Sequence, residues 1–213
     1  MKIHDVQQGS PEWMKLRAGI PTASEFDALV SPEWKIREGE GVKTYLAKKV
    51  AEKWLGGPLP DLATFHDMEQ GQILEEEALP WFSLTHGVDV KRVGFITDNA
   101  GTCGCSPDGV IYGQDAVYVN TMTGLEIKCP AAHTHAGYLL ANELPKQYRA
   151  QVHGSMYVTG APFWTFVSYR RKFPALVLTI ARDEKAIRAI HEAVQGFNDQ
   201  LEKAFKTLQE RAE

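Results

Sequence analysis

An α/β or α+β fold, with a central mixed sheet flanked by helices, is predicted by three observations. Apolar residues recur at helical spacing over 41–55, 68–84 and 144–158 and again from Asp183 onward. Between the second and third of these stretches the period shortens to apolar runs divided by Gly, Asn and Asp turns, the pattern of strands. The order that results, helices, strands, a helix, a hairpin and a last helix, is that of a sheet covered by helices.

Taken along the chain, 11–16 forms a short helix after Ser10, a good N-cap, and 22–29 a second one. Loops fall at 31–41 and 56–65, where Gly and Pro gather. The helix over 41–55 carries Val42, Tyr45, Leu46, Val50 and Leu55 on its apolar side. In 68–84 the buried side is Ile73, Leu74, Ala78, Leu79 and Phe82, with Glu75, Glu76 and Glu77 in the middle, and Pro80 is expected to kink or break the helix. Strands at 88–97, 109–112, 116–119 and 124–128 form the central sheet. After the helix at 144–158, strands at 163–169 and 175–181 pair as a hairpin around the basic turn Arg170-Arg171-Lys172. The final helix has one apolar stripe of Ile187, Ile190, Val194, Phe197, Leu201, Phe205 and Leu208. Trp34, Trp54, Trp81 and Trp164 read mainly as core residues.

The 213 residues, 44% of them apolar, suit one core and hence a single domain, 1–213. No run approaches the roughly 18 apolar residues of a membrane helix, and the first residues lack the apolar stretch of a signal peptide, so a soluble, cytoplasmic protein is expected. Cys103, Cys105 and Cys129 are an odd number, which argues for reduced, buried thiols rather than a disulfide framework or a zinc clip. With 23 basic against 27 acidic residues, the chain does not look like a simple coat for a phosphate backbone. An enzyme with acids around a metal and bases along a channel is still compatible with that sum.

Asp108, in Cys105-Ser106-Pro107-Asp108-Gly109, and Glu126-Ile127-Lys128, at the end of a strand, carry the chemistry. Hydrolysis of a phosphodiester needs a hard cation against the phosphoryl oxygens and a water made nucleophilic. Asp108 and Glu126 are suited to hold such a cation, with the Ile127 carbonyl as a third ligand. Strand alternation sends Glu126 and Lys128 to one face, so Lys128 can hold the water or the developing oxyanion. Each fragment alone also reads as a plain β-turn and an exposed strand edge; their order favours a site.

Five ordered blocks resemble the YqaJ-type viral recombinase and alkaline exonuclease family, the group of the phage lambda exonuclease. They are Trp13 to Arg17 with Thr22-Ala23-Ser24, the residues around Glu75, Cys105 to Gly109, Gly124 to Pro130, and Ala150-Gln151-Val152 with Ser155-Met156. The resemblance implies a restriction-endonuclease-like PD-(D/E)xK fold. It implies Asp108 and Glu126 as metal ligands, Lys128 as catalytic lysine, Glu75 as a further acid and Gln151 at the catalytic edge. It also implies Arg17, Ser24 and Ser106 as a pocket for a 5′-terminal phosphate. Where the lambda type has an arginine after Cys-Pro, this chain has Thr134 between His133 and His135. Those two histidines, Thr22, Arg170 and Arg171 are further candidate DNA contacts.

The activity implied is 5′-to-3′ digestion of linear double-stranded DNA with Mg2+, one or two ions, Mn2+ substituting. The products are 5′-mononucleotides and a 3′ single-stranded tail. The same resemblance implies a homotrimeric ring, a single-strand annealing protein as partner, and a phage or prophage gene in a bacterial host. A structure- or sequence-specific endonuclease and a non-catalytic recombination scaffold are the alternatives.

Overall fold

Ser10 opens helix α1 (Pro11–Arg17) as its sequence predicts, its hydroxyl accepting from the Trp13 N–H. The computed structural model describes residues 1–59, 65–112 and 122–212, and of 65–73 the backbone alone. After α1 the segment expected to be helical is a 3-10 helix, Ala23–Ala28. Then come α2 (Glu40–Leu55) and α3 (Phe65–His86). Helix α3 runs through Pro80 without ending. Pro80 and Glu76 both face solvent, so water can satisfy the carbonyl that the missing proline N–H leaves open.

Among the described residues the strands form two sheets. Strands β2 (Val90–Lys91), β5 (Gly109–Tyr112), β6 (Met122–Lys128), β7 (Phe163–Ser168) and β8 (Leu176–Ala181) make a mixed sheet in the order β2-β5-β6-β7-β8. Within it β6 and β7 are parallel and the other pairs antiparallel. The expected strand over 88–97 splits: β3 (Phe95–Thr97) leaves the central sheet to pair with β1 (Lys2–His4) and β4 (Gly104–Cys105). Strands of two or three residues are too short to show a period, which is why β1 and β4 do not stand out in the sequence. The expected strand at 116–119 lies outside the described residues.

The crossover between parallel β6 and β7 is built from α4 (Ala132–Ala141) and α5 (Lys146–Thr159), of which only α5 stands out as an apolar pattern. Helix α5 lies against the 3-10 helix, and Gly154 makes this possible: a Cβ there would come within 2.5 Å of the Phe26 ring. The last helix, α6 (Glu184–Glu210), is capped by Asp183 and buries Ile187, Ile190, Val194, Phe197 and Leu201 against α2 and α5, while Leu208 stays exposed. Trp164 is fully buried and Trp34 and Trp81 half-buried, but Trp54 is exposed. Among the described residues no helix is long and apolar enough to cross a membrane.

Candidate active site

Register across the sheet brings the two acids together. The antiparallel pairing that sets Gly109 opposite Leu125 places Asp108 beside Glu126 and Ile127. The Asp108 N–H donates to the Leu125 carbonyl at 3.0 Å, and the Ile127 N–H donates to Asp108 Oδ2 at 2.6 Å. On β6, Glu126 and Lys128 share a face, and Lys128 Nζ meets Glu126 Oε1 at 2.6 Å. Helix α5 presents Gln151, whose Nε2 donates to the same Oε1 at 2.5 Å. Glu126 Oε2 is left buried with no hydrogen-bond partner among the described residues.

The electrostatics of this cluster are those of crowded charge. Burial, and then the charge of Glu126, push the Asp108 carboxyl well above its ordinary range, against the pull of Lys128 and the Ile127 N–H. Burial works against charge on Lys128, but Glu126 and Asp108 overcome it and hold the ammonium above its usual value. Glu75, half-buried on α3, is also raised by burial, with Lys128 opposing and Glu126 adding. Among the described residues no group of three or more His, Cys, Asp or Glu is arranged to hold a metal.

An orphaned carboxylate oxygen beside a second desolvated carboxylate is costly by itself and fits a hard divalent cation. Asp108 and Glu126 are the side chains that would hold one, with the Ile127 carbonyl next to them. Magnesium, which keeps several of its waters, needs few protein ligands.

A second cluster adjoins the first. Arg17, at the end of α1, donates from Nη1 to Ser106 Oγ at 3.0 Å and from Nη2 to Ser24 Oγ at 3.0 Å. Its guanidinium lies 4.3 Å from the Trp13 ring centre, and Trp13 Nε1 also donates to Ser106 Oγ at 2.9 Å. Burial lowers the Arg17 pKa, with Glu25 the strongest opposing influence, yet an arginine stays charged. Ser106 of this cluster and Asp108 of the first are two residues apart, so their Cα atoms lie at most about 7 Å from each other.

Not every candidate lies where the sequence reading put it. His135 is 0% exposed: on α4, its Nδ1 contacts Ser168 Oγ at 2.7 Å and its Nε2 the Pro174 carbonyl at 2.9 Å, so it pins α4 to the sheet and is not available to DNA. Thr22 is likewise 0% exposed and serves Arg17 from beneath rather than facing a ligand. His133 is exposed on α4, on a helix and not in a loop. Arg170 Nη1 donates to the Pro130 carbonyl at 3.3 Å, at the mouth of β6. Arg171 is paired with Glu77, which also accepts from Tyr169 Oη at 2.6 Å, so Glu77 is not the idle surface acid it appears to be in the sequence.

Cys103 and Cys105 are buried and all three thiols are free. Burial pushes Cys103 and Cys129 up to about 12, which keeps them protonated as packing groups.

The sequence reading misses a buried ionic network under the Arg17 cluster. Lys49, 3% exposed, lies 3.0 Å from both Glu25 and Glu52, and Glu52 Oε2 accepts from the Gly19 N–H at 2.9 Å. Gly19 has φ of 74° and sits against the backbone of Lys53, a place that only glycine takes without strain. The inner stripe of α2 is Tyr45, Lys49 and Glu52, spaced four and three, and a Lys-Glu pair continuing an apolar stripe is the signal that could have revealed it.

Residues 12–162 match the YqaJ-like viral recombinase domain. No curated protein matches the chain significantly. Among solved structures, an alkaline exonuclease (LHK-Exo) from Laribacter hongkongensis is 27% identical with a TM-score of 0.80, over 95% of this chain and 98% of that one. LHK-Exo in complex with dAMP gives 26% and 0.81 over the same shares. A phage related exonuclease from Haemophilus somnus 129PT, 15% identical with a TM-score of 0.64 over 89% and 96%, shares the fold. The matched span holds Arg17, Asp108, Glu126, Lys128 and Gln151 alike, and with its PD-(D/E)xK architecture this chain belongs to the YqaJ-like viral recombinase family.

Proposed function

We propose that this alkaline-exonuclease-like protein is a magnesium-dependent exonuclease that digests one strand of linear double-stranded DNA from its 5′ end, releasing 5′-mononucleotides and leaving a 3′ single-stranded tail for strand annealing. One observation carries the reading: an acid pair with a lysine, Asp108, Glu126 and Lys128, stands one short peptide step from an arginine with two hydroxyls, Arg17, Ser24 and Ser106. An end-binding pocket beside a hydrolytic centre positions the terminal phosphodiester, which an internal cutter does not need.

A divalent cation held by Asp108 and Glu126 would neutralise charge on the phosphoryl oxygens and lower the pKa of the attacking water. Lys128 and Gln151 both bind Glu126 Oε1, so Oε2 is the oxygen that would be left to hold a cation. The Lys128 ammonium then stands next to the reacting phosphate to stabilise developing negative charge. Arg17 offers a two-pronged donor to the terminal phosphate, and the Ser24 and Ser106 hydroxyls, which accept from Arg17 in its absence, can turn to donate. Glu75 adds negative charge from α3. The dAMP complex of LHK-Exo supports a mononucleotide product. Manganese as a substitute metal, a ring-shaped homotrimer and an annealing-protein partner belong to the same proposal, on the family's account.

The test is a time course on linear duplex labelled separately at each end. Label at the 5′ end is expected as mononucleotide first, and a chelator is expected to stop release. Covalently closed circular duplex should stay intact; its cleavage would favour an endonuclease on this fold.

The neighbouring arginines divide their work. Among the described residues Arg170 makes no ion pair with a carboxylate, whereas Arg171 is paired with Glu77. Arg170→Ala is therefore expected to weaken DNA binding and reduce the slope of log K against log salt by about 0.9, the value for one phosphate contact. For Arg171→Ala the slope should change less. Binding isotherms at several salt concentrations measure both.

A further inference from the structure

The pocket around Arg17 is held from behind by a carboxylate with no part in the chemistry above. Glu25 Oε2 accepts from the Thr22 hydroxyl at 3.2 Å and from the Tyr45 hydroxyl at 3.3 Å, and Tyr45 Oη in turn accepts from the Thr22 N–H at 3.4 Å. Lys48 Nζ lies 2.8 Å from Glu25 Oε1 and Lys49 Nζ 3.0 Å from Glu25 Oε2, so the anion is paired with Lys48 and with Lys49, which it shares with Glu52.

The direction of each hydrogen bond follows from this. An ionised carboxylate only accepts, so the single Thr22 proton is committed to Glu25. Thr22 Oγ1 is thereby an acceptor toward Arg17 Nη2, at 3.5 Å, and toward Ser24 Oγ, at 3.3 Å. Without a ligand Ser24 gives its proton to Thr22 and takes one from Arg17, and it turns that proton to a phosphate when one is bound. Pairing with the two lysines outweighs the effect of burial and holds the Glu25 carboxyl down to about 2, so it stays ionised across the working range.

We propose that Glu25 is a positioning residue of the end-recognition pocket. Through the Thr22 hydroxyl it fixes the Arg17 fork and the Ser24 hydroxyl in the arrangement that meets a 5′-terminal phosphate, while Lys48 and Lys49 keep its own charge from repelling that phosphate. This rests on the exonuclease reading of the site, and on Arg17 as the residue that binds the terminal phosphate.

The measurement is the ratio of kcat/KM for 5′-phosphorylated over 5′-hydroxyl linear duplex, taken on the full-length protein with magnesium. Glu25→Ala and Thr22→Val should each lower that ratio about tenfold, the scale of one hydrogen bond to a charged group. The double variant should lower it no further than either single one, because both act through one contact. Glu25→Gln, which keeps an acceptor oxygen, should recover part of the loss. Thermal melting of each variant reports folding separately, and Thr22→Val leaves every charge in place. Should both substrates slow in proportion, or the two losses multiply, Glu25 is no more than structural and the proposal is overturned. Arg17→Ala distinguishes the two levels: if it abolishes the preference while Glu25→Ala leaves it, the pocket stands and Glu25 has no part in it. A parent enzyme indifferent to the 5′ phosphate overturns both.

Discussion

Asp108→Asn is expected to lower nuclease activity by at least about a hundredfold, the order seen when a charge-stabilising group is removed, and yet to melt no lower than the parent. The two effects share one cause. Asp108 is a desolvated carboxyl beside Glu126, and both burial and that like charge oppose its ionisation. Asparagine keeps the oxygen that accepts from the Ile127 N–H and removes the charge, so the fold sheds a repulsion while the cation loses a ligand. One pKa unit of relief corresponds to about 1.4 kcal/mol, and a chain of this size gains roughly 2–4 °C per kcal/mol. Melting must be compared with a chelator present, since a bound cation stabilises the parent. An active Asp108→Asn enzyme would mean that the hydrolytic centre is elsewhere. Glu126→Gln should be as inactive, but without the gain in stability, because Lys128 and Gln151 both lose their acceptor charge.

Lys49→Met is expected to have the largest effect on stability, about 3–5 kcal/mol, which is the cost of leaving a buried charge unpaired. Lys49 is the shared cation of Glu25 and Glu52, and Glu52 is buried with it. A drop in melting temperature of the order of 10 °C follows at this chain length. Lys49→Met combined with Glu52→Leu should melt above Lys49→Met alone, because the unpaired acid is gone. The pH dependence has a definite sign. Burial alone would raise Glu25, but Lys49 and Lys48 bring it to about 2 from the ordinary 4.5, so its contribution is complete above pH 4.5 and is lost as pH falls toward 2. In Lys49→Met that depression weakens, so the deficit against the parent should narrow between pH 4.5 and pH 3. Melting curves at the two pH values measure it. A deficit that widens on acidification contradicts the ionic account.

Much of the candidate site is visible in the chain because its chemistry is local. Glu126 and Lys128 alternate along one strand, so residue type and spacing are enough to place them on one face. Ser106, on the short link between β4 and β5 that carries Asp108, is legible only through the family resemblance. Helices with a continuous apolar stripe, such as α6, are equally legible, since burial and period point the same way. Where contacts of long sequence separation decide, the sequence is silent. The pairing of Gly109 with Leu125 brings Asp108 to Glu126 across 18 residues, and Gln151 reaches the same carboxylate from the far end of the crossover. Arg17 meets Ser106 across 89 positions, His135 turns inward to Ser168 and Pro174, and Lys49 is buried because Glu25 and Glu52 arrive on either side of it. A polar side chain is read as exposed until its partner is known, and only the tertiary structure supplies the partner.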